Sequence, residues 1–523
     1  MSALHRYFLP RQKAIGFGPT LETWLPEHLA QFTDGIATPQ LLFSRGEARA
    51  AHFEAAHRNL LVEAIRKQYA EAGSVVPHTL ENLASNRAVT ITTGHQLSLA
   101  LGPLFVVYKI LHTVVMCEFL RQQKPGLDFL PVFWLATEDH DLEEIQNVHF
   151  FNKSVTWHPE GTGPVGRIPA HTLASCYAQI TSYFTEETKK ELEEIFSVSK
   201  PTYGQHYHQM LSKIFGKYGV ILVDGDDPAL KRRLVPLMVQ EVETQFLEST
   251  VSQTNAALEK AEKRIQAMVR PINLFYLSPG KRERIIPETN GLTAGETFWN
   301  KEGLLRDIQD TPERFSPNVI MRPLYQELIL PNVCYVGGSG ELNYWAQLKK
   351  SFAQAGVPFP LLKTRFSGFL LKSFDEKELV QGFTSIDDQI DAMLSKESSR
   401  DRLFLELQQA FDALEKAMQT GVKPFGKEGE KWSMAQIKAI ESAMEQYKSR
   451  WQRQEKQQLD SSIQRLRRKY AERYPQEQLP QERQTSILHY CDRQNLSELI
   501  DQLKQQIDCF TNDVHVFSVI SPH

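Results

Sequence analysis

An α/β fold, with a parallel sheet covered by helices and joined to a long helical hairpin, is predicted by three observations. Two short apolar runs, residues 88–92 and 129–136, stop abruptly at polar groups. The first ends in Thr93-Gly94-His95-Gln96 and the second in Thr137-Glu138-Asp139-His140-Asp141. Buried parallel strands look like this where they bring side chains to the carboxyl edge of a sheet, the edge at which open α/β folds bind ligands. Between the runs, residues 97–120 have helical length and no acid before Glu118, which completes a strand–helix–strand unit. The third observation is a shift near residue 375 to Gln, Glu, Lys and Arg, with apolar residues recurring every three to four positions.

Length and composition bound the rest. A chain of 523 residues is too long for one ordinary core, so two or three domains are expected. Hydrophobic residues at 41% and charged residues at 23% are typical of a globular protein, and 29 Phe imply a substantial core. A net charge of -4 gives no global attraction to nucleic acid. The five cysteines are scattered and never spaced as C-x-x-C, which argues against a disulfide framework or structural zinc. Residues 1–17 lack the apolar stretch of a signal peptide. The most apolar segment, 97–120, is interrupted by Gly102-Pro103, Lys109 and His112, so it reads as buried rather than membrane-spanning. A cytoplasmic protein with neither membrane nor nucleic-acid partners is expected.

In chain order, residues 49–71 read as an amphipathic helix and 77–84 as a short one before the first strand. Residues 145–157 read as loop and strand, and 161–169 as a Gly/Pro turn. Helices are expected over 185–196 and 203–218. A third buried strand, 219–224, again ends in acid and glycine, at Asp224-Gly225-Asp226-Asp227. Helices over 229–248 and 253–269 follow. A fourth strand candidate, 274–277, leads into Gly280-Lys281-Arg282-Glu283-Arg284. A short helix is expected over 325–330. Then Val333-Cys334-Tyr335-Val336 is a buried strand opening onto Gly337-Gly338-Ser339-Gly340-Glu341 and another helix. This alternation is best met by a parallel sheet.

Beyond 375, Phe404, Leu407, Phe411, Leu414 and Met418 form one stripe, and Ile437, Ile440, Met444, Tyr447 and Trp451 a second. Leu459, Ile463, Leu466 and Tyr470 continue it. Two stripes separated by a turn at 421–429 make an antiparallel hairpin of coiled-coil character, with a second copy of the chain as a natural partner. Residues 514–520 alternate like a strand returning to the globular part. The expected domains are 1–375, 376–510 and 511–523.

The chemistry concentrates at the strand ends. A histidine after Gly94, ahead of a helix N-terminus, can donate to a phosphate oxygen; a turn histidine satisfied by backbone is an equally good account of it. Glu138, Asp139 and Asp141 pack three carboxylates around His140. Such a cluster calls for magnesium, a substrate amine or arginines, and His140 is a candidate base toward an amine. The turn at 337–340 lacks the Gly-Lys-Ser/Thr of a P-loop, and close packing against a helix is its commoner explanation. Arg282, Arg284 and Arg322 suit carboxylate or phosphate recognition.

Taken together, these segments resemble the bacillithiol biosynthesis cysteine-adding enzyme family, BshC. The resemblance is carried by Thr92-Thr93-Gly94-His95-Gln96 with Gly102-Pro103-Leu104 and Tyr108-Lys109, and by Pro131-Val132-Phe133-Trp134 running into Glu138-Asp139-His140-Asp141. It continues through Leu274-Phe275-Tyr276, Arg282-Glu283-Arg284-Ile285, Ser316-Pro317-Asn318-Val319 and Arg322-Pro323-Leu324. The last blocks are Tyr335-Val336-Gly337-Gly338, Gly340-Glu341, Tyr344-Trp345 and Leu479-Pro480-Gln481-Glu482-Arg483. His95 stands where the family commonly has Gln, and Ser339 where Pro is frequent.

The resemblance implies a Rossmann-like core with connecting-peptide inserts, an α-helical coiled coil and a homodimer. It implies amide-bond attachment of L-cysteine to glucosaminyl malate, the last step of bacillithiol synthesis. Such a core is similar to that of class I nucleotide-dependent ligases and synthetases; only His95 can stand for their signature histidines, and no Lys-Met-Ser-Lys element is present. ATP or another nucleotide with magnesium is the expected cosubstrate, with no tightly bound cofactor and no metal-ligating set. The candidate catalytic residues are Asp139, His140 and His95. Those for substrate or nucleotide binding are Thr93, Gly94, Gln96, Lys109, Glu138, Asp141, Arg282, Arg322, Gly337, Gly338, Glu341, Tyr344 and Trp345. The competing readings are a nucleotide-dependent transferase or ligase acting on another small molecule, and a non-catalytic coiled-coil scaffold.

Overall fold

A computed structural model describes residues 5–24, 29–371, 383–394, 398–476, 478–491 and 495–518. The chain divides into two compact units. Residues 5–11, 16–371 and 481–518 form the first, and residues 12–15 and 383–480 the second. The boundary expected at 375 lies outside the described residues. The helical unit closes at Pro480 rather than at 510, because the helix Leu496–Gln506 buries Leu496, Leu499, Ile500 and Leu503 in the core of the first unit.

The first unit begins with strand β1 (His5–Leu9) and helices α1 (Pro39–His52) and α2 (Ala55–Ala72). The single helix expected over 49–71 is therefore two, because Phe53 and Glu54 take extended backbone and break it. Strand β2 (Ala88–His95), helix α3 (Leu104–Gln123) and strand β3 (Asp128–Leu135) form the strand–helix–strand unit. A hairpin of β4 (Asn147–Phe150) and β5 (Lys153–Thr156) follows. Helix α4 (Tyr203–Phe215) leads to β6 (Ile221–Asp224), then to α5 (Pro228–Thr244) and α6 (Phe246–Lys260). Next come β7 (Leu274–Ser278), β8 (Lys281–Arg284), and a meander of β9 (Ile286–Glu288), β10 (Gly291–Ala294) and β11 (Thr297–Trp299). Strand β12 (Phe315–Pro317), helix α7 (Arg322–Ile329), β13 (Asn332–Gly337), helix α8 (Ser339–Ala346), β14 (Leu361–Thr364) and β15 (Ser367–Leu371) complete this stretch. After the second unit the chain ends in β16 (Val514–Ser518).

Five of these strands make one all-parallel sheet in the order β14-β13-β2-β3-β6. Central strand β2 is buried from Ala88 to Gly94. A strand covered on both faces reads as a continuous apolar run instead of an alternating one. The chain steps from β2 outward through β3 to β6, then returns to the other side of β2 for β13 and β14. Such a reversal of strand order opens a crevice at the carboxyl edge.

One expectation about strands changes, and another is met. Residues 274–277 do not join the parallel sheet. They pair antiparallel with β8 and β12, because Pro279-Gly280, with Gly280 at φ +70°, closes a tight hairpin. The terminal strand β16 lies between β1 and β15, and residues 519 and 520 of its expected span lie outside the described residues. Among the described residues no helix is long and apolar enough to cross a membrane. All five cysteines are buried and unpaired.

Beneath the junction of β2 and β13 lies a buried polar chain. Asn332 Oδ1 accepts from the hydroxyls of Thr90 and Thr92 at 3.1 and 2.8 Å, and its Nδ2 donates to Glu327 Oε1 at 2.8 Å. Burial pushes the Glu327 carboxyl up to about 7, against the hydrogen bonds from Gln326 and Asn332. A carboxyl raised in the fold contributes stability at low pH that is lost as pH rises from the ordinary 4.5 through 7. Glu327→Gln keeps the acceptor and removes the ionisation. It should therefore raise stability at pH 8 relative to the parent by up to about 3 kcal/mol more than at pH 5. Urea midpoints at the two pH values check this; equal differences at both would refute the assignment.

In the second unit, helices α9 (Ser398–Gly421) and α10 (Gly426–Arg473) form a hairpin through the turn Lys423–Phe425. Lys448 donates to Gln408 across it at 3.3 Å. Phe411 and Ile437 are buried on the expected stripe, each 8% exposed, whereas Leu414, Tyr447 and Trp451 remain 45%, 48% and 40% exposed. The unit leaves part of its own apolar seam uncovered.

Candidate functional site

The carboxyl ends of β2, β3 and β13 open into one cleft of about 860 Å³. That is ample for a nucleotide-sized or two-part substrate. His95, Asp139 and Gly338, one from each strand end, all line it.

At the end of β2 the geometry departs from the expected phosphate cradle. Helix α3 does not start at His95 but at Leu104, after a loop in which Gly102 takes φ +61°, and a Cβ there would stand 2.4 Å from Ser98 Cβ. The amide of Leu104 donates to the Thr485 carbonyl at 2.8 Å, so the helix's first donor already has an acceptor. The positive group facing the cleft is instead Lys109, one turn further in. Its Nζ donates to the Gly94 carbonyl at 2.9 Å and lies 2.5 Å from Glu341 Oε2, with only 1% of the side chain exposed. Burial alone would raise the Glu341 carboxyl, but Lys109 overrides this and holds it at about 2. The pair is ionic. His95 packs edge-on against Phe105 at 4.9 Å. Burial, and then Lys109, lower its pKa to about 3, so it is a neutral imidazole near pH 7 and can donate a hydrogen bond without neutralising charge.

The acidic run divides into separate roles. Glu138 forms an ion pair with the fully buried Lys231 of α5 at 2.7 Å, and Lys231 pairs equally with Asp226 at 2.7 Å. Asp226 also takes both arms of Arg167 at 2.8 Å. Asp139 faces the cleft: its Oδ2 accepts from Gln96 at 2.7 Å and its Oδ1 from the His140 amide at 2.7 Å. The loop is strapped from outside, since Val165 N–H donates to the Asp139 carbonyl at 2.7 Å and Gly166 N–H to that of Thr137 at 2.8 Å. A Cβ on Gly166 would lie 2.5 Å from Thr137 Cβ, so only glycine permits this approach. Thr137 in turn donates to Asp224, whose carboxyl is held well above the usual range by burial and then by Asp226.

His140 is not the free base that its neighbours suggested. Arg282 Nη1 donates into its Nδ1 at 3.0 Å, which leaves the proton on Nε2. Burial, then Arg282, lower its pKa. Arg282 is itself fixed by Ser316 Oγ at 3.1 Å and the Pro317 carbonyl at 3.0 Å, with its guanidinium 3.9 Å over Phe275. In the same cleft, Arg322 donates to Gln326 at 3.0 Å and to the Tyr344 hydroxyl at 3.1 Å. Tyr335 donates to Glu341 at 3.0 Å, and the Gly338 amide donates to the other oxygen at 2.9 Å.

Gly94, His95, Gln96, Lys109, Glu138, Asp139, His140, Arg282, Arg322, Gly338, Glu341 and Tyr344 thus share the cleft. Thr93, Asp141, Gly337 and Trp345 do not line it. Thr93 is buried and ties β2 to the Val336 carbonyl at 2.7 Å, Trp345 stacks on Tyr335 at 4.4 Å, Gly337 is buried in β13, and Asp141 is exposed. Three cationic linings were missed as candidates, Arg270, Arg365 and Arg483. Arg365 follows the apolar run 361–362, the same strand-end signal that exposed β2 and β3. Arg483 comes from beyond the helical hairpin, where it stood only within the block Leu479-Pro480-Gln481-Glu482-Arg483 and no charge or periodicity pattern singled it out. Among the described residues no three His, Cys, Asp or Glu side chains converge as a metal site.

The sequence profile for "Bacillithiol biosynthesis BshC, N-terminal Rossmann-like domain" matches residues 37–366. Among curated proteins, a cysteine ligase BshC by name from Flavobacterium johnsoniae is 38% identical over 341 residues, 64% of each chain. The chain thus spans less than two thirds of that relative. The BshC of Christiangramia forsetii is 32% identical over 479 residues, 86% of this chain and 87% of its own. That of Salinibacter ruber is 28% identical over 511 residues, 91% of each chain.

Proposed function

The chain belongs to the BshC family of bacillithiol biosynthesis, and from that premise we propose that it joins L-cysteine to glucosaminyl malate through an amide bond, the last step of that pathway. The observation that carries this reading is that one cleft is lined both by the carboxylate of Asp139 and by the cations Lys109, Arg282 and Arg322. A carboxylate and an ammonium do not condense in water, so the site must serve an activated acyl group and a deprotonated amine. A nucleoside triphosphate, accompanied by magnesium, would activate the cysteine carboxyl as an acyl nucleotide with release of pyrophosphate, and the amine would then displace the nucleoside monophosphate.

The chain's own residues do the remainder. Asp139, aimed by Gln96 and by two backbone contacts, accepts the proton of the amino-sugar ammonium. Arg282 orients His140, which donates through Nε2. Lys109 and the neutral His95 present N–H donors to oxygens at the end of β2. The malate carboxylates suit Arg322 and its guanidinium neighbours. Purified protein with glucosaminyl malate, L-cysteine and ATP, each omitted in turn and read by product mass, tests the assignment. Product formed only with all three is expected. ATP turnover independent of cysteine would favour a ligase or transferase acting on another small molecule.

We place the enzyme in the cytoplasm as a homodimer assembled through α9 and α10. Exposed Leu414, Tyr447 and Trp451 support this, since such a seam is normally covered by another helix. Tyr447→Glu with Trp451→Glu should halve the mass seen by light scattering; an unchanged mass would remove this interface.

A further inference from the structure

Arg365 and Arg483 carry an inference that rests on the ligase reading but adds a subsite to it. Arg365 follows β14 and is 5% exposed. Its Nη2 lies 2.6 Å from Glu482 Oε1 and its Nη1 donates to the Phe366 carbonyl at 2.8 Å. Its Nε is buried and has no hydrogen-bond partner. Buried donors in native folds are nearly always satisfied, so one left over beside a cleft indicates a missing acceptor. That Nε faces the Gly338 turn: a Cβ placed on Gly338 would sit 3.9 Å from it, and one on Gly340 would meet nothing within 4 Å. The absent side chains leave room for a ligand's oxygen atoms.

The charges around this space do not cancel. Glu341 matches Lys109 and Glu482 matches Arg365, each within 2.6 Å. Arg483, adjacent to Glu482 in sequence, lines the same space, is exposed, and lies outside the matched domain of residues 37–366. With Arg322, it leaves this lining with more positive than negative charge. Glu482 meanwhile accepts the Gly368 amide at 2.8 Å through its second oxygen, which anchors the segment bearing Arg483 to β15.

We propose that Arg365 and Arg483 form an oxyanion subsite against the Gly338 turn, binding either a carboxylate of the malate moiety or a phosphate group of the nucleotide. Both present planar or clustered oxygens that a guanidinium fork matches. The probes are L-malate and inorganic pyrophosphate, titrated calorimetrically into the full-length protein and its Arg483→Ala and Arg365→Lys variants. Arg483 is exposed, so Arg483→Ala tests the subsite without disturbing the core, and its melting temperature should match the parent's. Loss of one charge-assisted contact should weaken the recognised probe about ten- to a hundredfold. Weakening of malate alone assigns the carboxylate, and of pyrophosphate alone the phosphate. Neither probe binding the parent, or both binding Arg483→Ala as tightly as the parent, overturns the subsite. Because binding is read without turnover, a protein that forms no amide but loses the probe in Arg483→Ala refutes the ligase reading and leaves the subsite standing.

Discussion

Asp139→Asn should lower the rate of amide formation by roughly 10²–10⁴-fold while leaving the melting temperature unchanged. The substitution removes charge and keeps shape. The asparagine carbonyl still accepts the His140 amide, and Gln96, 2.7 Å away, can turn its own amide to present oxygen to the new NH₂. Among the described residues no cation pairs closely with the charge: His140 sits 3.7 Å away with a lowered pKa, and Arg282, which also feels Asp139, is held by Ser316 and Pro317. Initial rates with saturating substrates, together with a thermal melt, decide the matter. A fall in melting temperature with normal turnover by the folded fraction would make Asp139 structural and move the base elsewhere.

Lys231→Met should cost about 3–5 kcal/mol of stability, the largest effect on the fold expected from a single change near the site. Lys231 has no exposure and holds Glu138 and Asp226 at 2.7 Å each, with a third contact to the Glu313 carbonyl at 3.2 Å. Burial disfavours its charge, but the two carboxylates outweigh that and raise its pKa above that of a free lysine. Asp226 would keep Arg167 in the variant; Glu138, only 13% exposed, would be stranded. Adding Glu138→Gln should therefore recover a large part of the loss. Urea midpoints of the single and double variants measure the coupling, and additive losses would show that the pair is not the source.

The parts of this molecule legible in the sequence were those in which one local signal sufficed. Strands β2, β3, β6 and β13 each end an apolar run at a polar group, and that ending located the cleft through His95, Asp139 and Gly338. The hairpin stripes were equally plain. What stayed hidden depended on partners distant in the chain. Glu138 reads as a cleft carboxylate until Lys231, far along in α5, is placed against it. His140 reads as a base until Arg282 donates into its Nδ1. The loop before α3 was invisible because Ala100 and Leu101, at φ +48° and +71°, carry no glycine-like mark of the left-handed backbone they adopt. Thr485, which satisfies the Leu104 amide, and Arg483 enter only after the chain has passed through the whole helical unit.

The burial of all five thiols has a consequence for the proposed thiol-forming reaction. Thiol–disulfide exchange requires an accessible thiolate. Here Cys117, Cys334 and Cys491 have no exposure, Cys176 and Cys509 have 7% and 4%, and burial raises every one of their pKa values, that of Cys509 to about 12. The folded chain therefore offers no sulfur to an oxidised small thiol, whether substrate or product. On the proposed ligase reading, a catalyst that makes a small thiol is in this way insulated from the redox state of its own product.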